Sequence, residues 1–239
     1  MKKMFTWILL SILFVSCSSD EKSIDAATGS IEYLRTTDPD PSNTANPQDS
    51  VGLVYSDLLN EYYNTEVKPA SLDSLLVYLA TLSDTNPKFL LWKGNSYQVP
   101  DNAHITSILQ DPSASLSNSI AQSDISEEAQ NSLTAFVDDL LLLCEEEEEY
   151  TLIHEFITSY EDSVITNGSY STSEKQFILV TTSVLRYSTH AKKKRPKKNT
   201  DPEWALMVGN FTGAIEGASE DRASAIMYAL AYGIAENDF

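Results

Sequence analysis

The clearest indication of the architecture lies in residues 203–217, EWALMVGNFTGAIEG. Apolar side chains recur there at helical spacing, at Trp204, Val208, Phe211 and Ile215. A neighbouring stripe has a small residue every four positions, at Ala205, Gly209, Gly213 and Gly217. Each glycine inside a helix costs about 1 kcal/mol relative to alanine. Three at this spacing therefore predict a groove into which the backbone of another helix packs closely inside a soluble domain.

The same helical period continues through most of residues 51–239. Helix starts are predicted where polar caps, prolines and first-turn acids precede apolar stripes. These starts are Ser71, Asn86-Pro87, Pro100-Asp101, Ser126, Ser173-Glu174, Thr200-Asp201-Pro202 and Ser219-Glu220-Asp221. The Ser-rich residues 113–123 are ambiguous and indicate at most one weak helix. We predict an all-α fold, an irregular bundle of seven to nine helices that follows a disordered N-terminal tether.

Two runs of like charge flank the turn predicted at Gly168. The acidic run is Glu145–Glu149, and the basic run comprises Lys192, Lys193, Lys194, Arg195, Lys197 and Lys198. An antiparallel helical hairpin around Gly168 would bring the two runs together, and each sign also suits its helix terminus. The alternative is that the basic run is an exposed patch for an anionic glycan, phosphate or lipid head group.

The N-terminus has the pattern of an export signal. Lys2 and Lys3 precede the apolar residues 5–15, which are too few to span a bilayer. This segment ends in Leu13-Phe14-Val15-Ser16-Cys17, which resembles the lipobox of bacterial lipoproteins. The resemblance implies cleavage after residue 16 and acylation of Cys17, with at least two acyl chains needed for stable anchoring. An ordinary cleaved signal with an incidental cysteine is the alternative.

Residues 17–50 are predicted to be a lipidated flexible tether between a signal peptide (1–16) and an acidic helical domain (51–239). They are rich in Ser, Thr, Asp, Asn and Pro, with little apolar mass to offset the entropy of ordering. Ser18 in place of aspartate favours the outer membrane. Asp20-Glu21 resembles the surface-export signal of Bacteroidota lipoproteins, with a plain polar linker as the alternative. Asp49-Ser50-Val51 resembles a Bacteroidota O-glycosylation motif, which makes Ser50 a candidate acceptor.

The formal net charge of −19 disfavours partners that are themselves anionic. We therefore expect no nucleic-acid partner, and the charge serves either solubility or binding to a basic protein. Cys144 follows four leucines and is predicted to be a buried thiol. His104, His154 and His190 match no zinc-binding or catalytic spacing. We predict no catalytic residues, no metal and no cofactor.

These observations favour a non-enzymatic lipoprotein, anchored to the outer membrane and facing the periplasm or the cell surface. Its helical domain would bind a protein or glycan, or support a complex. The alternative is an immunity or inhibitor lipoprotein that blocks a basic toxin or hydrolase. An enzyme remains a third hypothesis, because active sites often leave no short motif. A convergence of His104, His154 or Glu155 with carboxylates in a pocket would favour that hypothesis.

Overall fold

The computed structural model describes residues 39–94, 97–146, 149–194 and 207–239. Ten α-helices and no strand occur in these ranges, so the all-α prediction is confirmed. The helices are α1 (Asp49–Asn64), α2 (Leu72–Ser83), α3 (Pro87–Trp92), α4 (Asn102–Gln110), α5 (Pro112–Ala121), α6 (Glu127–Glu146), α7 (Tyr150–Thr166), α8 (Thr172–Lys194), α9 (Val208–Glu220) and α10 (Arg222–Asp238). In the described ranges no helix is long and apolar enough to cross a membrane.

Helix α10 lies at the centre of the bundle. Every residue from Ala223 to Ala235 is buried, and α9, α1, α2, α4, α8 and α3 all pack against it. Small side chains on α10 allow these neighbours to approach closely. The central helix therefore has no solvent-facing polar side along most of its length, as expected for a helix surrounded by others.

The glycine stripe of α9 packs directly on α10. A side chain added at Gly209 would come within 2.8 Å of the Tyr232 carbonyl oxygen, and one at Gly213 or Gly217 would collide with the backbone at Tyr228 or Ser224. The predicted groove for a second helix backbone is therefore confirmed at these three glycines. Ala205, Trp204 and the predicted helix start at Thr200-Asp201-Pro202 lie outside the described residues.

Helices α6, α7 and α8 pack side by side, each antiparallel to the one before it. Phe136 of α6 stacks on Phe156 and Tyr160 of α7, with ring centroids 5.5 and 4.0 Å apart. At the Gly168 end of the next pair, Lys175 donates to the Ile165 carbonyl at 2.7 Å. At the other end, the Tyr150 hydroxyl donates to the carbonyl of Arg186 at 3.0 Å. The predicted antiparallel hairpin of α7 and α8 is therefore present.

Several helix starts follow their predicted caps. The side chains of Ser71, Asn86, Asp101 and Asp221 accept backbone N–H groups at the starts of α2, α3, α4 and α10. The predicted start at Ser173-Glu174 is shifted slightly, because Ser171 caps α8 and forms a capping box with Glu174. Asp111 also caps the ambiguous Ser-rich segment, where α5 forms with Pro112 in its first turn. The described residues alone contain ten helices, more than the predicted seven to nine, with α5 the least expected helix.

The folded body begins earlier than the predicted boundary at residue 50. Asp49 and Ser50 form the first turn of α1, and Pro41 and Asn46 are buried against the bundle. Residues 40–48, which we call the strap, therefore belong to the body. Residues 1–38, which include the predicted signal peptide and Cys17, lie outside the described ranges.

Candidate functional site

The strap is held by a cluster of buried polar side chains that lies between α1, α7 and α8. Its backbone first folds on itself, since the Asn46 N–H donates to the Asn43 carbonyl at 3.0 Å and the Asn43 N–H donates to the Asp49 carboxylate at 2.9 Å. These short-range contacts turn the amide side chains of Asn43 and Asn46 toward the bundle. The strap therefore presents donors to an acidic group that lies below it.

Arg186 of α8 is the positive centre of this cluster, and its side chain is fully buried. Its guanidinium donates to the Pro41 carbonyl and, at 2.9 Å, to the Asp49 carboxylate. Two of its nitrogens also lie 3.3 Å from carboxylate oxygens of Glu161. A single side chain thus joins the strap, α1, α7 and α8.

Glu161 of α7 is the matching negative centre and is also fully buried. Besides Arg186, it accepts hydrogen bonds from Asn43 at 2.6 Å, Asn46 at 2.7 Å and Thr182 at 2.9 Å. Removing a carboxylate from water is expensive unless it is paired and its oxygens are hydrogen-bonded. Both conditions are met here, which explains why two full charges are tolerated in the core.

Sequence reasoning did not predict this cluster, although a signal for it exists. Glu161 stands between Ile157 and Val164 on the core-facing stripe of α7, where an apolar residue is expected. Arg186 follows Val184 and Leu185 in the most buried part of α8. A charged residue at a core position on each arm of a predicted hairpin indicates a buried ion pair.

The contacts of the cluster fasten the strap to the helices. All of its charges are engaged with one another, and Glu161 and Arg186 have no access to solvent. Tyr187, whose hydroxyl lies 3.4 Å from Asp49, has its pKa raised by burial and then by that carboxylate, so the phenol stays protonated. In the described part of the chain no group of three metal-ligating side chains is close enough to hold an ion.

A groove of about 360 Å³ lies beside the cluster and opens to solvent. It is lined by Asp40 and Pro41 of the strap, by Leu53, Ser56 and Asn60 of α1, and by Tyr187, His190 and Ala191 of α8. The ring of His190 packs 4.7 Å from the ring of Tyr150. Because the strap forms one wall, the groove exists only while the strap is docked.

A second polar cluster brings His104 to the carboxylate of Glu216, with the histidine side chain 47 % exposed. The enzyme hypothesis would be favoured by such a convergence inside a pocket. Glu216 of α9 accepts from Tyr232 and Ser119 at 2.9 and 2.8 Å, and its oxygen lies 2.9 Å from Nε2 of His104. The Ser119 hydroxyl also lies 2.8 Å from the Ser115 carbonyl. Its proton is thus directed at oxygen acceptors rather than at the imidazole. The arrangement joins α4, α5, α9 and α10, and it lacks the serine–histidine contact of a nucleophilic pair.

The basic run begins with two lysines that have partners in the structure. Lys193 donates to the Cys144 carbonyl at 3.1 Å, at the carboxyl end of α6, and Lys192 donates to Asn237 at 2.7 Å. The basic run therefore begins beside the acidic run, at a helix end that favours a cation. The Lys194 side chain, Arg195, Lys197, Lys198, Glu147 and Glu148 lie outside the described residues.

Three other predicted positions have clear surroundings. Cys144 is fully buried, as predicted. Ser50 is partly buried in the first turn of α1 rather than at the end of a free tether. His154 is partly exposed at the edge of the core, with Nε2 3.4 Å from the strap carbonyl of Ser42.

Comparison with known proteins does not extend this description. No protein-family model, no curated protein and no solved structure matches this chain.

Proposed function

We propose that the protein is a non-enzymatic lipoprotein that is held at the outer membrane through Cys17 and carries its helical domain as a binding or scaffold module. The sequence Leu13-Phe14-Val15-Ser16-Cys17 supports the anchor, and the net charge of −19 supports a protein partner with basic surface over a nucleic acid. The domain faces the periplasm or the cell surface.

The observation that carries this proposal is the way in which the strap is fastened. The chain that arrives from Cys17 does not join α1 through a loose linker. It first docks at Pro41, Asn43 and Asn46, which are bound to Arg186 and Glu161 in the core. The N-terminal segment thus enters the domain at a point that is bound to the core, which suits a tethered module.

The anchor is tested by replacing Cys17 with alanine in the full-length protein expressed in a lipoprotein-producing bacterium. The wild-type protein is expected in the membrane fraction, with the mass of a diacylated or triacylated N-terminal cysteine. The Cys17→Ala protein is expected in the soluble fraction without that mass. Cys144→Ala is the matched control, and it should leave fractionation unchanged. Membrane fractionation of Cys17→Ala equal to that of the wild type would refute the anchor.

The second candidate is an immunity or inhibitor lipoprotein, which the acidic charge of the domain favours. In this case a basic toxin or hydrolase is the partner, and binding should weaken steeply with salt. Affinity capture from the native envelope at low and high salt, followed by an activity assay of the captured protein, distinguishes the inhibitor from the scaffold. A single basic enzyme that is captured at low salt and inhibited by the domain would favour the inhibitor over the scaffold.

The basic run offers a separate test of a glycan or other anionic partner. Lys192→Glu/Lys193→Glu/Lys194→Glu removes three positive charges near the end of α8. If the run is structural, this variant unfolds at lower denaturant, because Lys193 no longer donates to the carboxyl end of α6. An unchanged unfolding midpoint together with lost binding to anionic glycan would instead assign the run to ligand binding.

A further inference from the structure

Helix α3 exposes more apolar surface than its short length requires. Phe89 is fully buried and attaches the helix to the core, while the next two side chains point outward. Leu90 is 48 % exposed and Leu91 is 84 % exposed, and Trp92 is partly exposed beside them. Single exposed leucines are common on protein surfaces, but Leu90 and Leu91 are neighbours on one short helix, and Trp92, which also packs against the core, borders them.

The charged residues around α3 nearly balance one another. The sequence from Pro87 to Lys93 contains two lysines and no acidic residue. In the structure Asp84 pairs with Lys93, and burial raises the pKa of Asp57 while the nearby charge of Lys88 opposes that rise. Lys88 is exposed, and Lys93 lies 2.6 Å from Asp84 with part of its side chain in solvent. Lysine and tryptophan both favour the interfacial zone, because each combines an apolar body with a polar end.

A second pair of exposed leucines provides an internal comparison. Leu142 of α6 and Leu152 of α7 are 54 % and 45 % exposed, but they flank the acidic run Glu145–Glu149. Carboxylates beside an apolar surface lose hydration when that surface enters a bilayer, and this loss costs free energy even when the lipid is zwitterionic. Leu90 is about as exposed as Leu142 and Leu152, whereas Leu91 is more exposed, and the two pairs differ in the charge that surrounds them.

The chain between the anchor and the body is long enough to allow this contact. About 20 residues connect Cys17 with Pro39, and at 3.3–3.6 Å per residue they reach about 70 Å when extended. A compact body of about 200 residues is about 40 Å across. Every face of the body can therefore reach the membrane, so the chemistry of the faces decides which one rests on it.

We propose that α3 is a membrane-contact element: Leu90, Leu91 and Trp92 enter the interfacial zone of the bilayer that carries the anchor, with Lys88 and Lys93 at the level of the head groups. This inference rests on the proposed lipid anchor. The anchor supplies a high local concentration of bilayer, so a small apolar patch is sufficient for contact. The Asp84–Lys93 pair leaves the patch close to neutral, and contact with zwitterionic lipid is therefore expected.

The test uses the mature anchored protein, which begins at Cys17 and therefore lacks Trp7, reconstituted into phosphatidylcholine vesicles that contain brominated phosphatidylcholine. Trp204→Phe then leaves Trp92 as its only tryptophan. Brominated acyl chains are expected to quench Trp92. Leu90→Ser/Leu91→Ser should reduce the equilibrium constant for contact by about tenfold or more and relieve the quenching. Leu142→Ser/Leu152→Ser is the matched control and should leave the quenching of Trp92 unchanged.

The separate outcomes distinguish the anchor from the contact. Flotation of the protein with the vesicles, without quenching of Trp92, would overturn the contact and leave the anchor intact. Protein that does not float would refute the anchor, and attachment through an N-terminal histidine tag to nickel-chelating lipid then tests α3 alone by the same quenching.

Two further results would also overturn the contact. One is equal quenching of Trp92 with and without the Leu90→Ser/Leu91→Ser substitutions. The other is sedimentation of the wild type as a dimer that Leu90→Ser/Leu91→Ser abolishes, with no quenching by lipid. This would assign the exposed surface of α3 to a second copy of the chain. Leu91→Ser alone serves if the double variant misfolds, since Leu91 is the more exposed residue.

Discussion

Asn46 donates its side-chain amide to the carboxylate of Glu161 at 2.7 Å, although 115 residues separate the two in the chain. The same amide group also donates to the Leu179 carbonyl at 3.1 Å. Asn46 is only 3 % exposed, so neither bond competes with water. The strap is thereby part of the core of the domain, and its hydrogen bonds can be tested individually.

Replacing Arg186 with methionine should be strongly destabilising. The change leaves Glu161 buried without its cation, a situation that typically costs about 3–5 kcal/mol. Lys93→Met is the control, because its partner Asp84 is 49 % exposed and surface pairs contribute about 0–1 kcal/mol. Chemical denaturation at neutral pH gives both values. Equal losses in the two variants would show that Arg186 does not support the buried carboxylate.

Asn46→Ala should open the strap without unfolding the rest. Loss of the two buried hydrogen bonds is expected to cost about 1–3 kcal/mol, mostly at the strap. Hydrogen exchange of residues 42–48 should therefore accelerate, while amides of α10 keep their protection. Asn60→Ala is the control, since Asn60 is exposed and its amide is 3.4 Å from Ser56. Faster exchange throughout the domain would instead mean that the strap and the bundle open together.

Gly213→Ala should destabilise the domain, because the new methyl group would collide with the backbone at Tyr228. Overpacking at such a contact costs about 1–3 kcal/mol or more, which exceeds the gain in helix propensity of about 1 kcal/mol. Gly168→Ala is the matched control, because a side chain there meets nothing within 4 Å. That change should be neutral or stabilise by about 0.4–1 kcal/mol. Thermal or denaturant unfolding should show a lower free energy of unfolding for Gly213→Ala and an unchanged or higher one for Gly168→Ala.

Glu236 should make the domain less stable as the pH rises. Burial raises the pKa of this carboxyl from its ordinary value of 4.5 to about 8, while the Gly209 N–H and Lys192 oppose the shift. Between these values the folded state holds a proton that the unfolded state has lost. The contribution of Glu236 to the free energy of unfolding therefore decreases from pH 4.5 to pH 8.

Glu236→Gln should remove that part of the pH dependence. The free energy of unfolding is measured between pH 5 and pH 8 for the wild type and for the variant, and the difference between the two curves should change with pH. Glu155→Gln, at an exposed position of α7, is the control and should give a nearly constant difference. A constant difference for Glu236→Gln would show that its carboxyl titrates normally.

The parts of the fold that depend on residues close together in the sequence were predictable. Asn86-Pro87 and Asp101 cap their helices as predicted, because a cap needs only side chains a few residues away. The stripe at Gly209, Gly213 and Gly217 indicated a close helix–helix contact, because glycine inside a helix requires compensation. Which helix fills the groove was not predictable, since the period of α10 is the same as that of its neighbours.

The strap illustrates what local patterns miss. Its composition, with Pro41, Asn43 and Asn46, is that of a linker, and its apolar content predicts no docking. The docking energy comes from charges on α7 and α8, which are far along the chain. The amide side chains of the strap have these hydrogen-bond partners only once Glu161 and Arg186 are in place.

The cluster around Arg186 also sets an order of events during synthesis. The strap is made early, but the groups that bind it, Glu161 and Arg186, follow more than 100 residues later. Contacts of such long sequence separation form late, because the intervening chain must first be arranged. Until α8 has emerged, the N-terminal part of the chain has nothing to dock against. The strap is therefore secured late, after α7 and α8 are in place, so a factor that must act on the N-terminus of the newly made chain meets a strap that is not yet docked.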